Sequence, residues 1–368
     1  MEYWTLTEYV VIGVCMTLVC IYAYKPLSGT NQQNQTVLSL DTSNLIKAVC
    51  CIVIILHHYA LRAQVPFVGS YFSSTAGNQA LMLFMLMSGF GIVKSELIHK
   101  TTVKTFLKKR FLKLLIPFWI VNVITIIIYS FVNPQKPFGI DVDRVRAWDN
   151  FWNFGTGQFG LIDYILLTLG LKELDGIYWF LEVIVYSYVA FLITKSIFDI
   201  EKKRICSFLM YSAFIAIFGF VTYKLNFPAQ YYRNLWPLIF GCFIAIFEKR
   251  MLPNRGNIKN IILALIILNV FFVFYVKVCH DLSLKAFILI DIALAIPFLL
   301  NILLAHFTIS RNSLLFKISG LSYLIYLWHI KMLNIEWYYW GGYESVLIIV
   351  LMAILMSYLT SMIARKID

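Results

Sequence analysis

Between Leu114 and Val132 the chain reads LLIPFWIVNVITIIIYSFV, nineteen residues without a charge. A helix crosses the hydrocarbon core of a bilayer in about 20 apolar residues, and it satisfies its own backbone polar groups on the way. Comparable stretches recur at about 8–24, 44–61, 79–94, 111–132, 177–194, 205–222, 233–247, 258–277, 284–305, 314–334 and 344–363. The segment 160–171 is apolar but too short to cross, and is expected in a loop or dipping into the membrane. Only 14% of the residues are charged, against about 25% in soluble domains. The chain is therefore expected to be an all-α polytopic membrane protein of about eleven transmembrane helices.

The net charge of +12 does not indicate nucleic acid, because the basic residues sit between the apolar spans, where they set topology. Sorted by alternate loops, 21 of the 31 fall on one side and 10 on the other. The richer side is expected to be cytoplasmic, which leaves the N-terminus outside and the C-terminus inside. Cys15, Cys20, Cys50, Cys51, Cys206, Cys242 and Cys279 lie in or beside apolar spans without C-x2-C spacing. They read as small buried hydrophobes, and no metal site is expected. The first span follows an acidic start with no basic residue before it and shows no small-residue cleavage site, so it is expected to be retained. No internal repeat is evident.

With orientation assigned, depth can be read. His57 and His58 end the run CIVIILHHY in the outer half of 44–61, and Glu182 lies about a turn and a half below the outer surface. His329 and Asp291 fall at similar depth, and Ser88 lies near the middle of its span. An ionisable group at bilayer depth costs about 2.5–3.5 kcal/mol on insertion scales, so such groups face a cavity or a partner. Asp291, six residues before Pro297, reads as the brace of a kinked helix. His58 near a carboxylate is the minimal arrangement of a general base. On the cytoplasmic side, KTFLKKRFLKLLIP (104–117) sets Lys109, Arg110 and Lys113 at helical spacing before a span. They suit either a lipid-facing topology anchor or a phosphate-bearing cosubstrate.

These stretches, in order, resemble acyltransferase family 3, bacterial membrane proteins that O-acylate surface glycans. NLIKAVCCIVIILHHY (44–59) is similar to the family's first core helix, with a basic residue, here Lys47, eleven positions before the key histidine, here His58. FMLMSGFGI (84–92) resembles its Ser-Gly-Phe helix, and KKRFLKLLIPFW (108–119) its basic entry to the next helix. YWFLEVIVYSY (178–188) and ISGLSYLIYLWHI (318–330) resemble two later helices. The family usually has Arg where Lys47 stands, and Lys lacks the planar fork that grips a phosphate in two places.

The resemblance implies a ten-helix acyltransferase domain over 41–368, preceded at 1–40 by an additional transmembrane helix and linker. It implies a membrane O-acyltransferase, by default an O-acetyltransferase, in the bacterial plasma membrane. An acyl-CoA, by default acetyl-CoA, would be cosubstrate on the cytoplasmic side, with no bound cofactor. The acceptor would be a sugar hydroxyl of a surface polysaccharide or its lipid-linked precursor. His58 and Glu182 would be catalytic, with His57, Ser88 and His329 in support. Lys47, Lys109, Arg110 and Lys113 would bind the donor, and Trp179, Tyr326 and Trp328 would stack on the sugar. The rival reading of the same polar chamber is a proton-coupled carrier or flippase for a sugar or lipid-linked glycan, although carriers of that kind are often built from repeats. A glycan polymerase or ligase is a weaker rival, because loop 133–176 holds Arg144 and Arg146 but no histidine.

Overall fold

The computed structural model describes residues 38, 40–63, 77–132, 161–169, 179–228, 230–233, 235–251, 314–340 and 346–367. Among these, every regular element is a helix. In chain order they are α1 (Leu40–Ala63), α2 (Gly77–His99), α3 (Val103–Leu107), a π-helical turn (Lys108–Leu112), α4 (Lys113–Val132) and α5 (Leu161–Leu169). There follow α6 (Trp179–Ile197), α7 (Arg204–Lys224), α8 (Gln230–Arg233), α9 (Trp236–Met251), α10 (Leu314–Gly320), α11 (Ser322–Trp340) and α12 (Val346–Ile367). Six described helices are long and apolar enough to cross a membrane: α1, α2, the continuous stretch from α3 through α4, α6, α7 and α12. The expected spans 8–24, 258–277 and 284–305, with Asp291, lie outside the described residues.

The chain divides into two compact units, Met1–Ala48 with Ile244–Ser319 and Val49–Phe243 with Gly320–Asp368. The second holds the packing that matters here. Within it α6 lies against α2, α7 and α8, and α4 against α5, α11 and α12. Lipid-facing and core-facing stripes are clear on α12. Leu347, Leu351, Leu355, Leu359 and Met362 are exposed, while Ser357 and Thr360 are buried. The inward stripe mixes apolar Ile349 and Ala353 with Ser357 and Thr360, whereas the outward one is apolar, as lipid contact favours. The Thr360 hydroxyl accepts from Trp328 Nε1 at 3.0 Å, which makes Trp328 a core residue and not the expected sugar face.

Two glycines permit the closest helix approach. A Cβ on Gly89 of α2 would run into the Leu238 carbonyl of α9, and one on Gly241 into the Leu86 carbonyl of α2. Each helix thus meets the other's backbone at a small residue, the usual means of close packing in lipid.

The boundaries depart from expectation where polar chemistry takes over. α2 runs past residue 94 to His99, because Lys94 and Glu96 extend it beyond the hydrocarbon. The expected span 314–334 is broken at Leu321 into α10 and α11. α5 does not cross. Asn122, midway along α4, donates to the Thr168 carbonyl near the C-terminal end of α5 at 3.3 Å. The short helix therefore ends level with the middle of α4, and Asn122 satisfies one of the carbonyls that a helix end leaves open.

Candidate functional site

One end of the second unit gathers the histidines. His57 and His58 lie near the C-terminal end of α1, with ring centroids 4.8 Å apart and nearly edge to face. α2 begins against His57, and a Cβ on Gly77 would fall inside that ring's space. Glycine is thus required for His57 to sit where it does. The His58 ring is 5.0 Å from that of His329 on α11. His329 is fully buried, and its Nδ1 is within hydrogen-bond distance of the Tyr326 carbonyl. Tyr326 packs between His329, at 5.5 Å, and Phe180 of α6, at 5.0 Å. Tyr326 is thereby enclosed, whereas Trp179 is only half-buried.

Glu182, on the first turn of α6, has a partner the sequence did not indicate. Tyr231 of α8 donates its hydroxyl to Glu182 Oε2 at 2.6 Å. The Tyr231 ring also lies 6.2 Å from Trp179 and 5.3 Å from Phe227. Carboxylate, tyrosine and indole thus form one wall, and the rings of Phe180 and Tyr326 join it to the histidines. Ser88 sits half-buried at the middle of α2.

The opposite end carries the cations. The helix widens into the π turn just where Pro117 has no N–H to give the Lys113 carbonyl, four residues back. Single π turns of this kind recur at functional sites. Here the turn separates the three basic residues that simple helical spacing grouped together. Lys109 and Lys113 are exposed. Arg110 points into the bundle, where its Nη2 donates to the Gly91 carbonyl at 3.2 Å and its guanidinium lies 5.9 Å from the centre of the Tyr188 ring. Phe111 and Phe106 also pack on Tyr188.

The loop leading into that turn is pinned. Lys195 Nζ donates to Glu96 Oε2 at 2.7 Å, to the Thr101 carbonyl at 2.6 Å and to Thr101 Oγ1 at 3.1 Å. All three ammonium protons are thereby used. Thr101 Oγ1 donates to the same carboxylate at 2.7 Å, and Thr102 caps α3 by accepting from the Thr105 amide. Farther out, Lys100 pairs with Glu201 at 2.9 Å. That hydrogen bond raises the Lys100 pKa and lowers that of Glu201, and the Lys202 amide holds Asp199 below the usual carboxylate range.

Lys47 belongs to the first unit and is half-buried. It shares α1 with His58 at a spacing of eleven residues, close to three turns, so the two lie on one helix face. No group of three or more metal-ligating side chains occurs among the described residues.

A family model described as an acyltransferase domain matches residues 40–365. No curated protein and no solved structure matches the chain.

Proposed function

Because the chain belongs to acyltransferase family 3, we propose that it moves an acyl group from a cytoplasmic acyl-CoA to a sugar hydroxyl of an envelope glycan. Acetyl is the default group. The observation that carries this reading is the opposition of a histidine cluster and a cation-bearing π turn at two ends of one helical unit. His58 is the base that takes the hydroxyl proton. Glu182, held by Tyr231 beside the half-open face of Trp179, binds the acceptor: a carboxylate takes sugar hydroxyl donors and an indole covers the ring. Arg110 receives the donor's phosphates, supported by Lys109 and Lys113.

Donor titration tests the reading. Everted vesicles carrying the protein should transfer label from acetyl-CoA to glycan, and Arg110→Gln should raise the donor KM. A charge-assisted contact is worth about 1.5–3 kcal/mol, a rise of roughly tenfold to a hundredfold. An unchanged donor KM in a normally inserted variant would reduce the turn to a topology anchor. Absence of transfer from any acyl-CoA, with transport of a glycan precursor instead, would favour the carrier.

Sidedness has its own test. Cys206 on the first turn of α7 is exposed, whereas Cys50, Cys51 and Cys242 are buried. With the remaining cysteines replaced, Cys206 should resist an impermeant thiol reagent in intact cells and react after permeabilisation. Reaction in intact cells would invert the topology and the side assigned to each substrate.

A further inference from the structure

Hydrogen-bond donation fixes the tautomer of His329. A carbonyl oxygen only accepts, so the contact with Tyr326 places the proton on Nδ1. The neutral ring then keeps its lone pair on Nε2. That ring lies 5.0 Å from His58, centre to centre, at a 41° tilt. At this separation a turn of the half-buried His58 ring brings nitrogen to nitrogen at hydrogen-bond distance. His57 is no competitor for the role. It meets His58 at 68°, edge toward face, and is wedged against Gly77.

From this geometry we propose that His329 is the proton-relay partner of His58, a role that rests on the acyltransfer reading above. When the sugar oxygen attacks the thioester carbonyl, its O–H proton passes to one nitrogen of His58. The proton already on the other His58 nitrogen moves to His329 Nε2. The new C–O bond forms as the C–S bond breaks, and the thiolate leaves with the electron pair. The proton then returns from His329 through His58 to the thiolate, which leaves as thiol, and both histidines end neutral. The relay has a physical reason. An imidazolium is costly at bilayer depth, and on His329 it is met by the Tyr326 carbonyl that accepts from the ring.

The test is a proton inventory, the transfer rate measured against deuterium fraction in the solvent, with acetyl-CoA and glycan isolated from the host envelope. Wild type should give a curved inventory, because two protons move in one step. His329→Asn keeps an N–H for the Tyr326 carbonyl but offers no basic nitrogen. It should lower kcat at least about tenfold, leave both KM values within about twofold, and make the inventory linear. A merely structural histidine would leave the curvature intact. Wild-type kcat in His329→Asn, or curvature that survives in it, would overturn the relay. A linear wild-type inventory would overturn it without any variant, so misfolding of the variant cannot shield the proposal. A wild type that transfers no acyl group would instead remove the acyltransfer reading itself, and the relay with it.

Discussion

His58→Ala is expected to remove O-acylation of the glycan, lowering the transfer rate by about 10²–10⁴, while the protein still inserts at normal levels. The ring is half-buried, and that of His329 lies 5.0 Å from it, centre to centre. Mass spectrometry of the glycan measures the loss directly. His57→Ala should cost much less, since it vacates a space beside Gly77 without removing the ring that faces His329. Full acylation in His58→Ala would take this residue out of the mechanism. Equal losses in the two variants would mean that the pair acts as a structural block.

Much of this was legible in advance. Among the described residues most hydrocarbon runs define their helices to within a few residues, since lipid imposes length more strictly than water does. The ordering of motifs from Lys47 to His329 identified the family. Faces and pairings were not legible. A helix in lipid is apolar nearly all round, so hydrophobic periodicity cannot say which side meets another helix.

Tyr231 and Glu182 illustrate this. They are 49 positions apart on different helices, and nothing in either local pattern joins them. Tyr326 was expected to stack on a sugar, and only packing shows it enclosed between Phe180 and His329. The inward turn of Arg110 depends on a π turn, which α-helical spacing does not anticipate, although Pro117 marked the place. One signal was available and unused: Glu96 is the lone acid in the basic stretch from Lys94 to Lys113, and an isolated acid at a span end calls for a cation on another helix.

That cation is Lys195, and Lys195→Met should be among the most damaging single changes in the protein. The side chains of Lys195 and Glu96 are only 8% and 13% exposed. Removing one partner strands the other charge, which costs about 3–5 kcal/mol for a buried pair. Thermal unfolding in detergent, followed by reaction of a fluorogenic thiol reagent with the buried Cys50, Cys51 and Cys242, should show the loss as an earlier transition. Lys195→Met combined with Glu96→Gln removes both charges and should restore much of the stability, because what hurts is the unpaired ion and not the missing bond. If the double variant is as unstable as the sum of its parts, the two side chains act independently and the pin is an accident of proximity. Lys195→Met protein that survives purification carries the consequence into function. Thr101 and Thr102 begin the helix that leads into the π turn, so a loop released from Lys195 should let Arg110 drift from Gly91 and Tyr188. Donor KM should then rise as it does in Arg110→Gln, and should stay raised in the double variant, which also lacks the ammonium that holds Thr101.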